Sequence, residues 1–103
     1  MITELTLNNF DTEINRDEPV VLEFYTSTCT HCKKLAKTLE KLSNEITGAF
    51  FAKCNIENET AISGRYDISA IPALFFIKNG EVKNKLIGEV HPLIIQEEIK
   101  KLL

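Results

Sequence analysis

The chain is expected to adopt an α/β fold: a central mixed sheet of about five strands with helices on both faces. Three observations predict it. Apolar runs of strand length alternate with stretches of helical periodicity in the order βαβαβ(α)ββα. The long apolar run Val20-Val21-Leu22-Glu23-Phe24-Tyr25 delivers Cys29 and Cys32 to the start of an amphipathic helix. Further on, Asn79-Gly80 separates two strand-like runs, the signal of a type I′ hairpin. Strand–helix alternation implies parallel pairing in the first half of the sheet, and the hairpin implies antiparallel pairing in the second.

Each element follows from local pattern. Glu4 to Leu7 read as a short strand, followed by a helix capped by Asn8 or Asn9 and carrying Phe10 and Ile14. Arg16-Asp17-Glu18-Pro19 is a polar break, after which Val20 to Tyr25 reads as a buried strand. From Cys29 onward Leu35, Leu39, Leu42 and Ile46 recur at helical spacing. Lys33, Lys34, Lys37 and Lys41 occupy the other side, and Gly48 is the expected stop. Phe50 to Asn55 reads as a strand and Asn58 to Arg65 as a shorter helix. Ala73 to Ile77 and Val82 to Ile87 form the hairpin arms. Pro92 opens a last helix in which acids (Glu97, Glu98) precede a base (Lys100), as the helix dipole favours.

Length and composition bound the function. With 103 residues the chain suits one compact domain, residues 1–103, and is too short for two cores. Hydrophobic residues make up 44%, which argues for a packed interior over disorder. A net charge of −3 argues against nucleic acid as a partner. No apolar run reaches the roughly 18 residues of a membrane span, so no membrane role is expected. Met1-Ile2-Thr3-Glu4 lacks the basic start and apolar stretch of a secretory signal, and a cytoplasmic location is expected. In that compartment thiols are held reduced, and paired cysteines are usually catalytic or metal-binding.

The pair Cys29-Thr30-His31-Cys32 carries the chemistry. A helix N-terminus offers partial positive charge and free N–H groups, which favour a thiolate over a thiol. Cys29, nearest that terminus, is the candidate nucleophile; Cys32, one turn inside, is the candidate resolving thiol. Half of a zinc site, completed by Cys54 and a histidine, is the competing reading, and structural zinc more often uses two such knuckles. Glu23 stands in an apolar strand, where a carboxylate is costly without a partner or a purpose. Burial there raises its pKa toward the range of a general base. His31, when protonated, is placed to stabilise a Cys29 thiolate. His91, before Pro92, reads as a helix cap, and Cys54 as a small buried apolar residue or, more sharply, a regulatory thiol.

Several residues together resemble the thioredoxin family over essentially the whole chain. They are Glu23-Phe24-Tyr25, Cys29 and Cys32 with Lys33 behind them, Lys53, Ile71-Pro72, Lys78-Asn79-Gly80-Glu81 and Gly88, in family order and spacing. The resemblance implies a cis Pro72 facing the cysteines, an Ile71 backbone free to pair with a substrate strand, and Gly88 on the same substrate-binding surface. It implies Lys53 as partner to the buried acid Glu23. It further implies a redox-active Cys29–Cys32 disulfide with no other cofactor and no metal. Disulfide-containing protein substrates, a thioredoxin reductase or equivalent, and a monomeric state complete the expectation. Departures are Thr28 and Tyr25 where the family often has tryptophan, Lys37 where it has proline, and Thr30-His31 between the cysteines. Thioredoxins usually place Gly-Pro there and disulfide isomerases Gly-His. The leading expectation is thus a cytosolic dithiol donor that reduces protein disulfides. The alternatives are an isomerase-like or oxidising oxidoreductase, suggested by Glu23 and His31, and a redox-inert interaction module on the same scaffold.

Overall fold

The computed structural model describes residues 1–103 throughout. Its elements run β1 (Thr3–Glu4), α1 (Phe10–Ile14), β2 (Val20–Tyr25), α2 (Thr30–Glu45), β3 (Phe50–Asn55), α3 (Thr60–Tyr66), β4 (Ala73–Lys78), β5 (Glu81–Ile87) and α4 (Pro92–Leu102). The five strands form one sheet in the order β1-β3-β2-β4-β5. β1, β3 and β2 pair in parallel, whereas β4 is antiparallel to both β2 and β5. The mixed sheet and its hairpin are those expected, and Asn79 and Gly80 both take positive φ (53° and 77°), as a type I′ turn demands.

Side chains alternate between the faces of each strand, so β2 and β4 feed two cores. Val20, Leu22, Phe24, Phe75, Ile77, Ala52 and Cys54 join Phe10, Ile14 and Ile62 from α1 and α3 on one face. Val21, Phe51, Leu74 and Phe76 meet Leu35, Leu39 and Leu42 of α2 and Ile95 and Ile99 of α4 on the other. Each such Leu, Ile or Phe, fully buried, contributes about 1.5–3 kcal/mol relative to exposure. The register sets Glu4, Lys53, Glu23, Leu74 and Leu86 in one row across all five strands, on the face that α2 covers.

Three of the boundaries that differ from expectation do so for a clear local reason. β1 stops at Glu4 because the Asn9 side chain captures the chain beyond it: Thr6 N–H donates to Asn9 Oδ1 at 2.7 Å. Asn9 is therefore the N-cap residue of α1 by position, but its side chain caps no helical N–H. α2 ends at Glu45, where Ile46 N–H closes on Leu42 O; Gly48, at φ +85°, lies in the following turn. α3 starts at Thr60 because the N–H groups of Asn58 and Glu59 both donate to Asn55 O in a preceding turn. In α4 the first turn holds no acid, so the dipole is complemented only by Lys100 and Lys101 at its end. His91 does cap that helix, its Nδ1 accepting from Leu93 N–H at 3.1 Å.

Candidate active site

The site forms where β2 ends and α2 begins. Buried β2 fixes the chain as far as Tyr25, and the loop 26–29 turns it into the helix. Ser27 holds that loop down, donating from its N–H and its hydroxyl to Glu57 Oε1, both at 3.0 Å. These bonds hold the exposed Glu57 carboxyl below the usual range.

Cys29 is the N-cap of α2, with extended backbone (φ −83°, ψ 109°), and its sulfur accepts from Cys32 N–H at 3.2 Å. A 16-residue helix thus directs a free N–H and its positive end at the Cys29 sulfur. Cys32 sits inside the first turn, 1% exposed, while Cys29 is half-buried. The two are joined as a disulfide, with Cα atoms 5.2 Å apart.

On the row described above, on the sheet face that α2 covers, lies Glu23, 1% exposed. Its Oε2 is the one buried side-chain polar atom of the chain without a hydrogen-bond partner. Burial pushes its pKa from 4.5 up to about 8, and the positive charge of Lys53 opposes part of that rise. Lys53 is Glu23's register neighbour on β3 but makes its ion-pair contact, at 4.0 Å, with Glu4 and none with Glu23.

The peptide bond Ile71–Pro72 is cis. Pro72 is buried and Ile71 half-buried, and with His31, Gly88 and Glu89 they line a cleft of about 320 Å³ beside the disulfide-bearing helix. Gly88 N–H donates to Pro72 O at 2.8 Å, joining the two walls. Gly88 takes φ +88°, and a Cβ there would meet nothing within 4 Å, so backbone conformation and not space is what favours glycine.

His31 departs from expectation. Its ring is largely exposed and Nδ1 is hydrogen-bonded to the Glu89 carboxylate on the opposite wall of the cleft. That bond, with the positive charge of Lys34, holds Glu89 below the usual carboxylate range. The imidazole is therefore engaged by a counter-charge and not by Cys29. Cys54 lies fully buried on the other face of the sheet, so it shares no ligand position with the Cys29–Cys32 pair; burial pushes its thiol up to about 12.

The structure thus brings His31, Ile71, Pro72 and Gly88 together on one cleft. Cys29 and Cys32 stand at the start of the helix that carries His31, and Glu23 and Lys53 lie side by side on the sheet face that this helix covers. Sequence reasoning missed Glu57, Glu89 and Glu4. Each acts through a partner 20 or more positions away in the chain, and no spacing rule reports such a pair.

Comparison with known proteins agrees with this geometry. The family model described as Thioredoxin matches residues 1–101. The chain is 35% identical over 98 residues to a thioredoxin of Chlorobaculum thiosulfatiphilum, covering 93% of this chain and 91% of that one. It is 33% identical over 100 residues to Thioredoxin-1 of Saccharomyces cerevisiae, covering 96% of each. A solved structure from work on thiol resolution in yeast mitochondrial 1-Cys peroxiredoxin superposes with a TM-score of 0.85 at 29% identity, over 97% of this chain and 94% of that one. The crystal structure of the Malassezia sympodialis thioredoxin Mala s 13 superposes at 0.86 with 24% identity, over 98% and 90%, a likeness that speaks for the fold. Similarity of sequence from end to end, around a cysteine pair closed as a disulfide, means that this thiol–disulfide oxidoreductase belongs to the thioredoxin family.

Proposed function

We propose that the protein is a cytoplasmic, monomeric dithiol donor that reduces disulfides in other proteins, with the Cys29–Cys32 pair as its only redox group. The observation that carries this reading is the asymmetry of the pair: Cys29 at the helix N-cap, half-buried, and Cys32 one turn inside, 1% exposed.

In the reduced protein the Cys29 thiolate attacks a substrate disulfide, forming a mixed disulfide and expelling one substrate thiolate. Cys32 then loses its proton to Glu23 and attacks Cys29 Sγ, expelling the second substrate thiolate. Two electrons pass to the substrate and the protein is left with the Cys29–Cys32 bond. A reductase of the thioredoxin reductase kind returns two electrons and two protons. The backbone of Ile71, beside cis Pro72 and Gly88, is the edge on which an extended substrate strand pairs. Lys53 moderates the proton affinity of Glu23.

A second reading, an isomerase-like oxidant, draws on His31 and on a glutamate at position 23. The bond from His31 to Glu89 favours the first, because a ring held by the Glu89 carboxylate is directed at that group and not at Cys29. Equilibration against glutathione separates them. A potential near thioredoxin's usual value of about −270 mV supports the donor, and one near about −180 mV the isomerase-like protein. Cys32→Ser should trap mixed disulfides with substrate proteins on Cys29, and Cys29→Ser almost none; equal trapping from both would overturn the assignment of roles. No helix is long and apolar enough to cross a membrane, which is compatible with a cytoplasmic donor.

A further inference from the structure

Glu23 and Lys53 are paired in register, yet Lys53 is drawn elsewhere. Its ammonium lies 4.0 Å from Glu4 Oε1 on β1 and 5.5 Å from the centroid of the Tyr25 ring, within the range of a cation–π contact. The Tyr25 hydroxyl in turn donates to the same Glu4 oxygen at 2.7 Å. The chain at Glu4 is anchored by two bonds: the backbone N–H of the next residue, Leu5, donates to Lys53 O at 2.7 Å, and the Asn9 side-chain Nδ2 donates to Glu4 O at 3.3 Å. The result is a closed triangle of Glu4, Tyr25 and Lys53 on the β3 side of Glu23.

We infer that Glu4, together with Tyr25, is a positioning residue that holds Lys53 short of a full ion pair with Glu23 and so keeps Glu23 able to hold and return a proton at neutral pH. The consequence for catalysis rests on the proposed role of Glu23 as the base for Cys32.

The groups facing Glu23 are few. β3 contributes Lys53, β1 Glu4, β2 Tyr25 and β4 the apolar Leu74. α2, which covers this face of the sheet, carries the uncharged Cys29–Cys32 pair at its start and buried Leu35, and its Lys33 and Lys34 are exposed. Lys53 is therefore the one cation of the sheet row, and its position decides how much of the burial cost is offset. Two carboxylates compete for it: Glu4, partly exposed and bonded to a phenol, and Glu23, buried with an unpartnered oxygen. The exposed one holds it, because an ammonium loses less hydration there.

The test is a carboxyl-carbon NMR titration of Glu23 in the oxidised wild-type protein and in Glu4→Gln, Tyr25→Phe, Lys53→Met and Glu4→Gln/Lys53→Met. Glu4→Gln keeps an acceptor for Tyr25 but frees Lys53, and should lower the proton affinity of Glu23 roughly fivefold, the worth of one partly solvated ion pair. Tyr25→Phe should lower it by less, and Lys53→Met should raise it. The double variant should match Lys53→Met, because Glu4 acts only through Lys53. An unchanged titration in Glu4→Gln would overturn the inference, as would an equal fall with and without Lys53, which would mean a direct field from Glu4. Failure of the base reading is seen separately, as unchanged release of a mixed disulfide in Glu23→Gln, because the titration reads the proton without catalysis.

Discussion

Replacing Glu23 by glutamine should change the pH dependence of stability more than any other single substitution in the sheet. The side chain is 1% exposed and its Oε2 has no partner, so the ionised form is held against its hydration. Its pKa in the folded protein is about 8, against 4.5 for the free group. The native state therefore binds the proton more tightly than the unfolded chain does, and stability falls as pH rises between those two values. Below 4.5 the carboxyl is neutral in both states and costs the fold little; above about 8 the full penalty applies. At about 1.4 kcal/mol per tenfold change in proton affinity, the displacement from 4.5 to about 8 amounts to about 5 kcal/mol, an upper value because water drawn in by the charge relieves part of it. An amide of the same shape carries no such dependence. Urea denaturation of the oxidised protein and of Glu23→Gln, across the interval from about pH 5 to about pH 9, measures the difference directly. The gap between the two should widen with pH by several kcal/mol and flatten at the alkaline end. Parallel curves would refute the reasoning, because they would mean that Glu23 titrates alike folded and unfolded.

Three further outcomes are expected. His31→Pro should lower the potential of the Cys29–Cys32 pair by no more than about 20 mV, since one partly solvated charge is worth on the order of 1 kcal/mol and Glu89 already engages this one; a much larger drop, measured against glutathione, would place the imidazolium on the thiolate. Gly80→Ala should destabilise by about 1–2 kcal/mol in thermal or urea unfolding, because φ is +77° and a Cβ would stand 2.2 Å from Asn15 Oδ1, which must swing away. Cys54, fully buried with its thiol pushed up to about 12, should resist alkylation in the native protein at mildly alkaline pH and react on unfolding, read by mass spectrometry; rapid native labelling would contradict its place in the core.

What the sequence made legible was whatever a periodic or local rule encodes. β2, β3 and the β4–β5 hairpin follow from apolar runs and one Asn-Gly turn, and α2 from a lysine face opposite leucines. The roles of single residues were readable where one residue broke a pattern: Glu23 in an apolar strand, and two cysteines at a helix start. The cis state of Ile71–Pro72 is different, since only about 5–6% of X–Pro bonds are cis and nothing local distinguishes this one; only the family resemblance implies it. Contacts between distant side chains were not readable at all. His31 and Glu89 are 58 positions apart and Tyr25 and Glu4 are 21 apart, and they meet only because the sheet order brings their strands and loops together. Differences at helix ends share that origin: the pattern offers Asn8 or Asn9 as the cap of α1, and Asn9 holds that position with its side chain turned back to Thr6 N–H.

The placement of Glu23 ties the stability of the fold to the proposed chemistry through a single proton. An aliphatic residue at this point of β2 would bury against Leu74 and Leu35 without penalty, and the strand would be more stable for it. With a pKa of about 8, the carboxyl is mostly protonated at neutral pH, half ionised near pH 8 and mostly ionised only above that. As a base it is therefore weakly populated in its active form but well matched in strength to a thiol, whose ordinary pKa is about 8.5. Full pairing with Lys53 would reverse both properties: more of the carboxylate, a weaker base, and a more stable sheet at alkaline pH. The triangle of Glu4, Tyr25 and Lys53 sets the balance between them. Stability and proton transfer then share one pH window, so a substitution that moves the denaturation profile through Lys53 must move the release of the mixed disulfide with it.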